Sequence, residues 1–296
     1  MDRFLVTGVS GPIGAALLPS LESRASRIVR LVRGTAKNAD QISWDPSAPL
    51  NPDAVSRFGA VIHLAGESVV GRWTDAKKKA IRDSRVQGTR NLASALAQTK
   101  ERPRVFICAS AIGFYGDRGD ELLTEESAPG GGFLADLSRE WEAASRVAAD
   151  AGIRTVNLRI GLVLSPKGGA LAKMLTPFQL GLGGRIGSGT QWWSWIHVDD
   201  IVGAIHYGID TASLSGAVNL VAPNPVQNIE FTKLLASALG RPALFPVPAF
   251  AARLAFGEMA QELLLSGQRV APSKLEASRY SFRFPELRAA LEDLVG

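Results

Sequence analysis

Cysteine is almost absent from this chain. Cys108 stands alone among 296 residues, which excludes a disulfide framework and a thiolate-based metal site. It lies in the apolar run 105–109, where a lone thiol reads as a small buried hydrophobe. Histidine is nearly as scarce. His63, His197 and His206 are scattered, with no ligand-type pair on a helix, so no metal site is expected. No stretch of eighteen apolar residues occurs, so no membrane span is expected. The chain opens directly on a strand pattern, without an apolar signal region or cleavage site, which makes the cytoplasm the expected compartment. Charge of one sign is also in short supply: 33 basic residues stand against 28 acidic ones, for a net +5. Apart from Lys77–Lys79 on a helical stretch, the cations are dispersed. Such a run reads as a solvated face, so nucleic acid is not an expected partner. A mildly positive field does suit an anionic dinucleotide.

What is present is a repeating alternation. Apolar runs at 4–7, 28–32, 41–44, 60–65, 104–110 and 155–164 read as strands, the third of them weak. Stretches at 13–24, 75–98 and 133–151 between them have helical spacing. Strands alternating with helices define an α/β, Rossmann-type doubly wound parallel sheet. After Leu164 glycine and proline become dense, which marks a smaller mixed C-terminal lobe with helices at 229–239 and 250–265. The expected division is a dinucleotide-binding domain at 1–164 and a substrate lobe at 165–296, with segments such as 195–208 returning to the first domain.

Between the first strand and helix stands Gly8-Val9-Ser10-Gly11-Pro12-Ile13-Gly14. In such a loop one glycine makes the tight turn, one admits the backbone close to a diphosphate, and one lets helix and strand pack closely. The helix N-terminus then offers amide donors and a positive dipole end to the anion. Glycine loops are common, but this one sits at the first strand–helix junction, where a dinucleotide fingerprint belongs. The second strand ends in Leu31-Val32-Arg33-Gly34, and no acid follows until Asp40. An acid at that end would bind the ribose hydroxyls of NAD; Arg33 instead suits a 2′-phosphate, which favours NADP over NAD. The competing reading of Arg33 is a solvated loop cation. Asp45 reads equally as an acceptor for the adenine amino group or as a turn residue before Pro46. Leu64-Ala65-Gly66 closes the fourth strand with small residues, where a dinucleotide would lie.

With these residues in place, the chain resembles the extended short-chain dehydrogenase/reductase superfamily. It is most similar to an atypical branch, the epimerase family proteins, which carry a C-terminal domain of unknown function. The resemblance rests on TGVSGPIG at 7–14, HLAGES at 63–68, SAIGFYGD at 110–117 and LRIGLVL at 158–164. It continues through PFQLGLGGRIGSG at 177–189, WIHVDD at 195–200 and FPELRAAL at 284–291. It implies NAD(P) binding, an oxidoreductase or epimerase acting on a small molecule, and a homodimer formed through the helices at 75–98 and 133–151. The cofactor-binding residues it suggests, with the loop reading, are Gly8, Ser10, Gly11, Pro12, Ile13, Gly14, Val32, Arg33, Asp45, Leu64, Ala65, Gly66, Arg85 and Leu162.

The departures are chemical. The superfamily uses a tyrosine acid/base whose pKa is lowered by a lysine four residues on. Here Tyr115, Tyr207 and Tyr280 are followed at that spacing by Gly119, Thr211 and Phe284. The family position holds Phe133-Leu134 and Leu137-Ser138; the usual serine or threonine falls on Ala111, and the usual helix asparagine on Arg85. Candidate substitutes for proton transfer are Glu67, Ser110 and Tyr115, each of which also has a plain structural reading. His197, Asp199, Asp200 and the Trp192, Trp193, Trp195 cluster read as structural, with Trp193 and Trp195 on one strand face and Trp192 on the other. Two functions therefore stand. One is an NADP-dependent oxidoreductase or epimerase with an unusual proton donor. The other is a non-catalytic NADP-sensing regulator, since some relatives are linked to cell or organelle division.

Overall fold

The computed structural model describes residues 2–296. Seven parallel strands form the central sheet: β1 (Asp2–Thr7), β2 (Ala25–Val32), β3 (Gln41–Ser43), β4 (Ala60–His63), β5 (Val105–Ala111), β6 (Arg154–Ile160) and, beyond β7 (Leu162–Leu164) and β8 (Trp195–His197) outside it, β9 (Gly216–Leu220). β7 and β8 pair with each other. The order across the large sheet is β9-β6-β5-β4-β1-β2-β3. β4 is buried at all four positions, as a strand covered on both faces must be, which is why its sequence is a continuous apolar run.

Helices cover the two faces. α1 (Pro12–Glu22) and α5 (Val198–Asp210) pack on one side, where Leu17, Leu21, Ile201 and Ile205 join Val6, Ile62 and Ile107. α2 (Asp75–Gln98) and α3 (Phe133–Asp150) pack on the other, where Leu92, Leu96 and Trp141 meet Leu5, Val61 and Phe106. Local signals fix the starts. Proline at the first helical position opens α1, and Thr74 Oγ1 accepts the Lys77 amide at the start of α2. His197 caps α5 by accepting the Asp199 amide on Nδ1 at 3.0 Å, with two acids in the first turn.

Four further helices, α4 (Gly169–Gln179), α6 (Asn228–Ala238), α7 (Ala249–Phe256) and α8 (Leu287–Val295), build the smaller lobe. Its core joins Leu171, Phe178, Phe231, Leu235 and Leu291 to two tryptophans, Trp193 and Trp195. The segment from Val198 to Leu220 lies in the layers of the large sheet.

The structure corrects three expectations. The single strand read over 155–164 breaks after Ile160: the Gly161 amide still donates to the Leu220 carbonyl at 3.2 Å, but the Leu162 amide turns to the Ser194 carbonyl at 2.8 Å, and a Cβ on Gly161 would stand 2.7 Å from Val221 Cγ1. β7 therefore leaves the sheet and pairs with β8. The helix read over 250–265 is α7 followed by a short turn and a π-type turn at Gln261–Leu265. Trp193 and Trp195 share one core and Trp192 lies outside it, as expected, but not along one strand: Ser194 separates the pair Trp192–Trp193 from β8. Helices α4, α5 and α8 and the strand β9 add to the elements expected from the sequence.

Candidate functional site

The carboxyl ends of β1, β4 and β5 open on one edge of the sheet, where open α/β folds hold their ligands. After β1, Gly8 takes φ +72°, and a Cβ there would come within 2.5 Å of the Leu64 carbonyl carbon. Close contact of two strand ends thus demands glycine. Gly11 caps α1 in extended geometry. No side chain caps this terminus and no acid stands in its first turn, so its dipole is left for a ligand. A glycine cradle before a helix end free of acids fits a dinucleotide diphosphate. The loop after β7 also reaches this place: a Cβ on Gly168 would meet Pro12 Cβ at 3.2 Å. Only the Gly168-Gly169 pair just past a strand end hinted at that role in the sequence.

A buried chain of hydrogen bonds fixes the cleft floor. Thr7 Oγ1 accepts the Leu64 and Ala65 amides at 3.2 and 3.1 Å, so its proton is directed to His63 Nδ1 at 2.7 Å. His63 Nε2–H then donates to Thr89 Oγ1 at 3.0 Å, which also accepts the Trp141 indole N–H at 2.9 Å. Burial pushes the His63 pKa down to about 4 from 6.5, so the ring is neutral in the fold. The unfolded chain takes up a proton below about pH 6.5 that the folded chain refuses until about pH 4. The neutral ring's contribution is therefore complete above pH 6.5 and is lost as the pH falls, by up to ~3 kcal/mol. Urea unfolding of wild type and His63→Phe at pH 7.5 and 5 checks this. The wild type should lose more stability between the two than the variant does, and parallel losses would refute it.

At the end of β2, Arg33 is exposed and Val32 accepts the Trp44 amide at 2.9 Å. Asp40, the nearest acid in sequence, is engaged by Arg27 at 2.7 Å. Asp45 takes the amide and hydroxyl of Ser47 on Oδ1 at 2.9 and 2.7 Å, and these bonds hold its pKa below the usual carboxylate value. Its second oxygen is not used in that turn. Arg85 is folded back onto the turn after β4: it donates to the Glu67 carbonyl at 2.8 Å and lies 5.1 Å from the Trp141 ring centroid. A Cβ on Gly66 would stand 3.0 Å from its Cζ. Burial draws the Arg85 pKa down to about 10, against the opposing charge of Glu67. Leu162 donates its amide to the Ser194 carbonyl at 2.8 Å, at the point where β7 departs.

The three candidates for proton transfer are each engaged. Glu67 binds Lys77 Nζ at 2.8 Å, and that hydrogen bond above all lowers its pKa, so it is ionised at neutral pH. Ser110 donates to Glu142 Oε1 at 2.8 Å. Tyr115 is fully buried; it donates to Asn219 Oδ1 at 2.6 Å and accepts from Arg159 at 2.9 Å. Burial raises its pKa, the reverse of what a phenol acid/base needs. Near the family's tyrosine position, Leu134 packs on Gly113, and Glu262 of the lobe accepts the Phe133 and Leu134 amides at 2.8 and 2.9 Å. Sequence gave no sign of that latch, which joins residues 129 and 128 positions apart. The run Lys77–Lys79 is paired throughout, with Glu67, Glu258 and Asp83. Among the described residues, no group of three or more His, Cys, Asp or Glu could hold a metal ion, and no helix is long and apolar enough to cross a membrane.

Sheet, glycine cradle and covering lobe together define a Rossmann-type dinucleotide-binding protein of the extended short-chain dehydrogenase/reductase type. The chain belongs to the NAD dependent epimerase/dehydratase family, whose model matches residues 4–220; a domain of unknown function matches residues 247–294. An epimerase family protein of Mycobacterium bovis is 41% identical over 288 residues, covering 97% of this chain and 95% of its own length. Human epimerase family protein SDR39U1, solved with NADPH, superposes with a TM-score of 0.91 at 34% identity over 99% of both chains. A structure described as the nucleoside-diphosphate sugar epimerase from Corynebacterium glutamicum gives a TM-score of 0.83 at 38% identity, with all of this chain spanning 58% of that one.

Proposed function

We propose that this chain binds NADPH across the carboxyl ends of β1, β2 and β4 and exchanges hydride with a small carbonyl or alcohol, as an oxidoreductase or epimerase. The observation that carries the reading is the uncapped α1 terminus behind Gly8–Gly14, together with an exposed Arg33 where an NAD protein would place an acid. The solved human relative, described with NADPH, supports it. When bound, the cofactor supplies the hydride. The chain's own part is positional. Backbone around Gly8–Gly14 holds the diphosphate, Arg33 the 2′-phosphate, and Val32 and Asp45 the adenine side. Leu64–Gly66 and Leu162 border the remaining length, with Arg85 bracing the turn at Gly66.

Arg33→Ala should weaken NADPH about tenfold and leave NADH unchanged, since only the former carries the phosphate that the guanidinium meets. Parallel calorimetric titrations read this directly, and an equal loss for both cofactors would refute the assignment. Turnover is tested by nicotinamide absorbance over a panel of carbonyls, alcohols and nucleotide sugars.

A second reading, an NADP sensor without turnover, is favoured by one observation: Glu67, Ser110 and Tyr115 are all committed to partners within the chain. It expects the triple replacement Glu67→Gln, Ser110→Ala, Tyr115→Phe to keep the cellular phenotype. Loss of that phenotype in a folded variant favours the enzyme.

A further inference from the structure

Where the loop at 117–120 meets the segments at 188–192 and 265–267 lies an open cavity of about 420 Å³. A smaller one of about 90 Å³ shares Asp117 with it and reaches Gly113 and Leu134, beside the family's reacting position. The larger cavity therefore adjoins, through Asp117, the place at which the proposed hydride acceptor would stand. Its walls include Asp117, Asp120, Ser188, Thr190, Trp192 and Gln227, and no lysine or arginine. Nearby cations are turned to other work. Arg118 pairs with Glu121 at 2.8 Å, and Arg185 donates to the Gly187 and Ser188 carbonyls. Arg269 lies 4.6 Å from the Trp192 ring centroid and donates to the Asp120 carbonyl.

We infer that this cavity takes a neutral, polyhydroxylated group, an unphosphorylated sugar or polyol, and disfavours a nucleoside diphosphate. The deduction rests on the oxidoreductase reading for the identity of the site, and on lining chemistry for the class of ligand. A diphosphate would bring two negative charges against two wall carboxylates, while the arginines at the rim, Arg118, Arg185 and Arg269, are each already bonded to another group of the chain. A polyol instead presents hydroxyl donors. Asp120 Oδ1 is taken by the Trp192 indole N–H at 2.6 Å, and Asp117 Oδ1 by the Gly119 amide at 3.3 Å, which leaves an oxygen of each for a ligand. Ser188 and Thr190 are bonded hydroxyl to hydroxyl at 2.8 Å and retain acceptor capacity. An indole wall beside carboxylates offers sugar C–H faces an apolar surface and sugar hydroxyls acceptors. The acids lie on exposed loop positions, so the charge effect is screened and sets a preference of roughly tenfold or more rather than an absolute barrier.

The test uses full-length protein saturated with NADPH. It is titrated with D-glucose, D-xylose and sorbitol, with glucose 6-phosphate, and with UDP-glucose, and read by calorimetry and tryptophan fluorescence. At least one neutral compound should saturate, with its fluorescence change lost in Trp192→Phe and its affinity at least tenfold weaker in Asp120→Asn. UDP-glucose should bind at least tenfold more weakly than that compound, and Asp120→Lys should recover it. UDP-glucose binding tighter than every neutral compound, or no neutral compound saturating, overturns the inference. NADPH affinity is measured in the same samples. If NADPH itself fails to bind, the proposed function falls, while the ligand preference is still read on the cofactor-free protein.

Discussion

Replacing Gly11 by alanine is expected to leave the chain folded and to weaken NADPH binding on the order of a hundredfold. Gly11 has φ −77° and ψ 164°, a conformation open to any residue. A Cβ there would meet only the Gly8 carbonyl oxygen, at 3.4 Å, so the fold has room for it. The space it would fill is the space through which the loop backbone must approach a diphosphate. The neighbouring glycines behave differently. A Cβ on Gly14 would stand 2.7 Å from Val9 Cα and closer still to the Gly8 carbonyl oxygen, where backbone has no easy escape. Gly8 adds a left-handed φ to its approach to Leu64. Alanine at Gly8 or Gly14 should therefore cost about 1–3 kcal/mol of stability as well as binding. Thermal melts beside calorimetric titration separate the two effects. Wild-type NADPH affinity in Gly11→Ala would remove the diphosphate from this loop, and with it the cofactor site.

That contrast shows where sequence was sufficient. Three glycines in seven residues marked a loop, but not which of them serves the ligand and which serves packing against Leu64 and Val9. The distinction depends on a contact between residues 8 and 64, which no local pattern carries. The sheet itself was legible because β4 and β5 are buried on both faces and read as unbroken apolar runs. β7 was not, because the break at Gly161 is imposed by Ser194 and Val221, more than thirty residues ahead. The proposed cofactor end rests on Gly8–Gly14 and Arg33, whose proposed roles follow from backbone and charge and need no long-range contact to be read. The reacting end was not legible. The cavities proposed to hold the substrate are lined from the turn at 261–265 and the loop at 117–120, brought together only by the fold, as is the buried pair Glu142–Arg159.

That buried pair yields the largest expected change in stability. Arg159 and Glu142 have side chains only 5% and 15% exposed, and they meet in two bonds of 2.8 and 2.9 Å. Arg159 also lies 3.5 Å from the Phe114 ring centroid and donates to Tyr115. Tyr115 passes the connection to Asn219, whose amide group reaches the Ala271 carbonyl at 2.9 Å. One ion pair thus ties β5, α3, β6 and β9 to the C-terminal segment. Burial works against the Arg159 charge, yet the hydrogen bonds and charge of Glu142 outweigh it and raise its pKa. Glu142→Ala would leave that charge buried and alone, so the expected loss is about 3–5 kcal/mol. Glu142→Leu combined with Arg159→Met removes both charges and should recover most of it, because paired burial is itself costly. Denaturant unfolding of the single and double variants decides the matter. A single variant losing less than about 1 kcal/mol would mean that water already reaches the pair. The double variant is also the sharper probe of chemistry. It frees the Ser110 hydroxyl from Glu142 and the Tyr115 phenol from Arg159 without touching the glycine loop. If it binds NADPH as wild type does but loses hydride transfer, the network serves the reacting end. If transfer survives, its part is to hold the sheet to the lobe.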